Sequence, residues 1–207
     1  MLKIIFTFFP IIIIVSCSSL VEPEKIKTGS EFYPLAVGNY WKYEGSFSSK
    51  DSSYVFNYKS VITQVEIIGG FEWSKIESAR NNYTQNRYLL MENDSIYELQ
   101  YNWRNPIRAL VYIIPKNKKE SFHSILGGDV GITKTVEKLD TAIHTKIGIF
   151  TNCFRYKCST LDWTEIEILA YGIGIVERQL IHYNFMTGEQ ISKTTEIVEE
   201  ANINNAR

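Results

Sequence analysis

The chain has 207 residues, and its 22 basic and 23 acidic side chains give a formal net charge of −1. This balance gives no electrostatic basis for binding nucleic acid or an anionic surface. Aromatic residues make up 14% of the chain, and together with frequent Ile, Val and Thr they are typical of strands rather than helices.

The chain begins with the pattern of an export signal. Lys3 supplies a positive charge, and an apolar run follows over residues 4–15. This run has the length of a signal-peptide core but is shorter than the ~20 apolar residues of a membrane-spanning helix. The four residues that end at Cys17 (Ile-Val-Ser-Cys) resemble the bacterial lipobox, in which the cysteine thiol is lipidated and the signal is cut before it.

We therefore expect residues 1–16 to be a signal peptide and Cys17 to carry lipid, rather than an uncleaved anchor or a buried strand. Stable anchoring takes two lipid signals, which a triacylated cysteine exceeds. Residues 17–31 are polar, lack periodicity and contain Pro23 and Gly29. They are expected to form a flexible tether between the lipid and the domain.

Alternating apolar and polar residues predict strands over most of residues 32–200. The alternation begins where Trp41, Tyr43 and Phe47 share one face, and turn residues separate the later strands. The sequence predicts a single mainly β domain with little helix, in which an antiparallel meander forms one curved sheet or open barrel. A phase switch near residues 59–60 predicts a β-bulge.

A charged segment at residues 115–131 divides this domain into two β-rich halves. We expect a loop there, with a short helical turn around residues 120–126. Strands are predicted again over residues 133–139 and 141–147. Residues 201–207 are polar and are expected to form a frayed tail.

Side chains that commonly form catalytic or metal sites are scattered along the sequence. His123, His144 and His182 lie on separate predicted segments, and none has the spacing of a metal ligand. Glu165 and Glu167 could form a carboxylate pair of the glycosidase kind, but their alternation with Ile predicts a solvated strand face. We therefore predict no catalytic, cofactor-binding or metal-binding residue.

Two cysteines remain besides Cys17. If Cys153 and Cys158 lie in one regular strand, their Cα atoms are about 16 Å apart, beyond the limit of about 7 Å for a disulfide. We predict that they do not pair, unless a turn or bulge lies between them.

Four tryptophans could mark either the core or a ligand-binding surface. Aromatic side chains dominate core packing, so we expect most of them to be structural. A sugar- or lipid-binding surface is the alternative. The four are Trp41, Trp73, Trp103 and Trp163.

Three stretches are similar to a group of uncharacterised bacterial lipoproteins. Residues 32–43 match the opening Pro-Leu, Val-Gly-Asn, Trp-x-Tyr string of that group, and residues 148–153 match its Gly-x-Phe-x-x-Cys segment. Residues 169–176 match its Tyr-Ala-x-Gly-x-Gly-x-Val string, with Leu169 in place of Tyr. The resemblance implies a β-rich exported domain and supplies no catalytic residues.

These patterns together predict a lipid-anchored envelope lipoprotein that is not an enzyme but a binding or structural domain. A carrier of a hydrophobic ligand is the more specific form of this prediction. An envelope-assembly or protein-interaction module is the alternative, and a carbohydrate-active enzyme is less favoured. The expected partners are the membrane, through the lipid on Cys17, and a hydrophobic ligand or envelope protein. No cofactor and no nucleic acid are expected. The residue after Cys17 is Ser18 and not the Asp that the enterobacterial rule links to retention in the inner membrane. This favours the outer membrane.

Overall fold

The computed structural model describes residues 32–81, 83–102, 105–126 and 130–204. The signal peptide, lipidated Cys17 and tether predicted at residues 1–31 lie outside the described residues, as does Trp103. Within the described ranges, no helix has the length and hydropathy to cross a bilayer.

The described chain is built from twelve strands. Their residues carry the alternation, the β-branched side chains and the aromatic side chains that favour extended backbone. The strands are β1 (Tyr40–Ser49), β2 (Ser53–Ile68), β3 (Phe71–Arg80), β4 (Tyr83–Glu92), β5 (Ser95–Asn102), β6 (Asn105–Ile113), β7 (Ser121–Leu126), β8 (Val130–Thr145), β9 (Gly148–Ser159), β10 (Trp163–Ala170), β11 (Gly174–Tyr183) and β12 (Gln190–Asn202).

All twelve strands form one antiparallel sheet in the order β6-β5-β4-β3-β2-β1-β12-β11-β10-β9-β8-β7. The chain therefore enters at the middle of the sheet, winds outward from β1 to β6, and returns from β7 to β12. The sheet curves until it is nearly closed and barrel-shaped, with β6 and β7 approaching each other. Tyr156 on β9 spans this gap, donating its hydroxyl to the carbonyl of Ile113 on β6 at 2.6 Å. The predicted fold class is confirmed.

The segment at residues 115–131 differs from the prediction. Residues 121–126 form β7, an edge strand paired with β8, and not a helical turn. Phe122 and Ser124 are buried, whereas His123 between them is exposed. Burial thus alternates with a period of two, as in a strand, and the segment pairs with β8. These two effects outweigh the charged residues from which a loop was predicted. The two predicted strands that follow form the single strand β8, which is bulged.

The bulge predicted in β2 is present, but three residues later than expected. The pairing with β3 skips Thr63, between Ile62 and Gln64. Ile62 is fully buried, whereas Val65 and Ile67 beyond the bulge are exposed. In this part of β2, the face that carries the alternating apolar residues therefore does not face the core.

The stretch before β1 closes one end of the barrel. Phe32 and Tyr33 are buried in the core. The side chain of Asn39 is also buried, donating to the carbonyl of Pro34 at 3.0 Å and accepting from the amide of Asn204 at 2.7 Å. The opening motif of residues 32–43 thus has a structural role, since it seals the barrel and joins it to the end of the chain.

The hairpin formed by β8 and β9 folds back over the outside of the sheet. Lys146, in its turn, lies 2.8 Å from Glu44 on β1 and 2.5 Å from Glu199 on β12. Neither strand neighbours β8 in the sheet, so the hairpin crosses the strands between them. These ion pairs are exposed to solvent, so they contribute little to stability.

Candidate functional site

The inside of the barrel contains charged side chains, and this corrects the prediction for Glu165 and Glu167. Both were expected on a solvated face, but the side chain of Glu167 is 2% exposed and that of Glu165 is 20% exposed. Ile168, on the opposite face of β10, is also buried. Alternation separated the two faces correctly but assigned the wrong one to solvent.

Glu167 is held by two cations, one from the neighbouring strand β11 and one from β8, which lies beyond β9 in the sheet. Lys134 on β8 donates to it at 2.7 Å, and Arg178 on β11 donates through two nitrogens at 2.9 and 2.7 Å. Burial alone would raise the pKa of this carboxyl, but the two cations hold its pKa well below the ordinary value. Glu167 is therefore ionised at neutral pH, with its oxygens occupied.

Glu165 is in a less favourable position on the same face. Its carboxylate lies 3.8 Å from Lys134 and 3.7 Å from Arg178, beyond hydrogen-bond distance. Burial raises the pKa of Glu165, and the negative charge of Glu167 raises it further. The two carboxyls therefore differ in pKa because only one of them is bonded directly to the cations.

A second ion pair lies across β4 and β5. Arg87 donates through two nitrogens to the carboxylate of Glu98, at 2.7 and 2.9 Å. This is the bidentate geometry that gives arginine pairs both strength and orientation. Burial opposes ionisation of Glu98, but Arg87 lowers its pKa below the ordinary value.

A cavity of about 220 Å³ lies beside these ion pairs, against β1 to β4, β11 and β12. It runs from Trp41, which is 1% exposed, to Tyr83, which is 67% exposed and marks its mouth. Its walls combine aromatic, hydroxyl and charged side chains. The charged ones are Arg80, Arg87, Arg178 and Glu196.

Rings on β1 and β2 form an aromatic ladder along one side of the barrel. Cross-strand partners Tyr43 and Tyr58 stack with centroids 4.9 Å apart, and Phe47 and Tyr54 stack at 5.0 Å. Phe56 lies between these pairs, 6.4 Å from Tyr58 and 6.1 Å from Tyr54. The ladder thus extends from the buried end of the cavity toward its mouth.

The ring of Phe56 lies directly over its cross-strand partner Gly45. A Cβ atom at Gly45 would be 2.2 Å from the ring, far inside van der Waals contact. Glycine is therefore required here so that Phe56 can lie against the backbone of β1. The guanidinium carbon of Arg80 lies 3.6 Å from the centroid of the same ring.

The remaining candidate residues do not assemble into a site. The three histidines are exposed and lie on β7, β8 and β11. Among the described residues, no group of three or more His, Cys, Asp or Glu side chains is placed to hold a metal ion. Of the described tryptophans, Trp41 lines the cavity, Trp73 is buried with its indole donating to Ile68, and Trp163 is half-buried.

The two thiols confirm the prediction that Cys153 and Cys158 do not pair. Both lie on β9, and both are free and buried. Burial raises the pKa of Cys153 to about 11, so that its thiol stays protonated at neutral pH.

Comparison with solved structures supports the fold. A Bacteroides fragilis protein described as exported and as having a YmcC-like fold is 12% identical, with a TM-score of 0.52, over 83% of this chain and 98% of that chain. A Parabacteroides distasonis protein described as a lipoprotein is 11% identical, with a TM-score of 0.47, over the same shares. A LolA superfamily protein from Nitrosomonas europaea is 6% identical, with a TM-score of 0.28, over 86% of this chain and 91% of that chain.

No protein-family model matches the chain, and no curated protein matches it. The likeness to the B. fragilis protein covers nearly all of that chain and most of this one. At 12% identity it shows a shared fold alone.

Proposed function

We propose that this chain is a lipid-anchored, non-enzymatic binding protein of the bacterial envelope, whose ligand occupies the cavity inside the barrel. The observation that carries this proposal is the cavity wall, whose aromatic side chains include buried Trp41 at one end and exposed Tyr83 at the other. Concave, mostly pre-formed sites with aromatic walls and a few polar groups are typical of small-molecule binding. Ring faces contact the apolar part of a ligand, and the hydroxyls orient it.

The proposed location rests on the beginning of the chain. The lipobox-like string ending at Cys17 supports lipid anchoring, and Ser18 favours the outer membrane. The B. fragilis protein of the same fold is described as exported, which agrees with this location.

A carbohydrate-active enzyme has less support. Glu165 and Glu167 lie on the same face of one strand, and neither lines the cavity. Glu167 also accepts three hydrogen bonds from its two cations, which hold its pKa well below the ordinary value and make it a weak base.

The test uses photo-crosslinking of the full chain reconstituted in phosphatidylcholine vesicles, with an octan-1-ol derivative that carries a diazirine in its chain. Ser78 lines the cavity, and the adjacent Ala79 is exposed on the other face of β3. Ser78→Phe should fill the cavity and abolish labelling of the β2–β4 peptides, whereas the matched control Ala79→Phe should be labelled like the parent. Equal labelling of the two folded variants would contradict the proposal.

A protein-interaction module is the second candidate, and a different surface favours it. Leu161, Phe185 and Met186 are 80%, 66% and 81% exposed on two adjacent turns. The amide of Tyr183 joins these turns by donating to the carbonyl of Asp162 at 2.7 Å. Exposed apolar clusters of this kind are typical of contact sites. If this surface binds an envelope protein, Phe185→Ser should abolish cross-linking between the two proteins in intact cells. The same variant should leave labelling of the cavity by the octan-1-ol probe unchanged.

A further inference from the structure

The charges that line the cavity are unequal in sign. Arg80, Arg87 and Arg178 face it, and Glu196 is the one carboxylate among its lining residues. Glu196 is already engaged, because it accepts from the hydroxyl of Tyr58 at 2.8 Å and lies 3.6 Å from Arg178. Cationic side chains therefore outnumber anionic ones among the described residues that line the cavity.

The three arginines differ in what they are bonded to. Arg178 is bound to Glu167 and Arg87 to Glu98, and neither of these carboxylates lines the cavity. For Arg80, by contrast, no carboxylate of the described residues lies within 4.0 Å, and its guanidinium contacts the rings of Phe56 and Tyr54. A guanidinium has five N–H donors, and stacking on a ring leaves those donors available to an anion.

Arg80 is also the arginine nearest the cavity mouth. It is the last residue of β3, and Tyr83, which begins β4, is the exposed end of the cavity. An anionic group held there would remain partly hydrated, while the rest of the molecule extended along Phe56 and Tyr58 toward Trp41.

We propose that the ligand is a single-chain anionic amphiphile, with its carboxylate or phosphate on Arg80 and its apolar part along the aromatic ladder. This inference rests on the proposed binding function and specifies its ligand class. The size of the cavity agrees with it. About 220 Å³ is below the roughly 300–1,000 Å³ of sites that enclose drug-sized ligands, so it holds one chain rather than two.

The test compares two photo-crosslinking probes that differ only in the head group. These are octanoic acid and octan-1-ol with the same chain diazirine, used at pH 7.5 on the full chain reconstituted in vesicles of two-chain phosphatidylcholine, which the cavity is too small to enclose. We expect the acid to half-saturate labelling of the β2–β4 peptides at about tenfold lower concentration, as one charge-assisted hydrogen bond would give. Arg80→Gln should remove this difference, and Arg80→Lys should restore part of it.

Arg155→Gln is the matched control, because Arg155 lies outside the cavity and pairs with Glu137 at 3.4 Å. It should leave the preference for the acid unchanged. Competition with octanoate and with octyl phosphate then shows which anion is preferred, and preference for either supports the proposal. If the acid and the alcohol label the parent equally, and Ser78→Phe still abolishes labelling, the proposal of an anionic ligand is wrong. The proposed binding function would still stand in that case. Labelling by neither probe would overturn both.

Discussion

Replacing Glu167 and Glu165 separately by Gln tests the account of the barrel interior. The two residues are on the same face of β10, and the substitution is the same. Glu167→Gln removes the charge that Lys134 and Arg178 both bond, which leaves two buried cations without their direct partner. Breaking a buried pair in this way costs about 3–5 kcal/mol. In a domain of this size each kcal/mol lowers the melting temperature by about 2–4 °C, so we expect a fall of about 6–20 °C.

Glu165→Gln should behave differently, because the ionised form of Glu165 is unfavourable in the folded state. Its raised pKa means that folding becomes less favourable as pH rises from the unfolded value of about 4.3 through the folded pKa. Removing the charge should therefore leave the protein at pH 7 as stable as the parent, or more stable.

Thermal unfolding at a series of pH values, followed by intrinsic fluorescence, measures both effects. The lowered pKa of Glu167 means that its stabilisation is complete above about pH 4.3 and is lost as pH falls toward the folded pKa. The Glu167→Gln variant should lack this acid-dependent loss. If both variants are destabilised equally at pH 7, the difference that we assign to the two carboxyls is wrong.

Three further substitutions test the anchor, the core and the ladder. Cys17→Ser should leave an unlipidated precursor that takes up no labelled fatty acid; labelling would contradict the lipobox interpretation. Trp41→Ala removes a buried ring whose indole donates to the carbonyl of Ile173 at 2.6 Å. We expect the free energy of unfolding, measured with denaturant, to fall by about 3–5 kcal/mol. An unchanged denaturation midpoint would mean that this face of β1 is not part of the core. Gly45→Ala should lower the free energy of unfolding by about 1–3 kcal/mol and weaken labelling by the octan-1-ol probe, because the ring of Phe56 must move. Unchanged stability and labelling would show that the aromatic ladder does not need this glycine.

The fold could be predicted because the alternation is strong along most of the chain. On β1 it correctly placed Trp41 and Tyr43 inside the barrel. At residues 120–126 the charges suggested a loop, and the strand there depends on pairing with β8, which is not readable locally. Local sequence patterns thus identify the central strands of this sheet better than the edge strand β7.

The site could not be predicted, because alternation does not say which face of a strand points inward. On β10 the face that carries Glu165 and Glu167 turns inward, and polar-out reasoning fails there. Their cations come from Lys134 and Arg178, which lie 33 and 11 residues away from Glu167 in sequence. Arg178 is the cross-strand partner of Glu167 in the β10–β11 hairpin, so this pair depends on the hairpin register. Lys134 lies on β8, two strands from β10, and its contact with Glu167 depends on the order of the strands in the sheet.

The position of β1 between β2 and β12 bears on how the chain folds. Tyr40 pairs with Asn202, so the centre of the sheet joins residues from nearly opposite ends of the described chain. Such distant pairing slows folding, and until β12 arrives one edge of β1 remains unpaired and open to aggregation. Because the chain is synthesised from its N-terminus, one edge of β1 stays unpaired until the 13-residue strand β12 docks. Deleting that strand would not trim an edge but would divide one sheet into two.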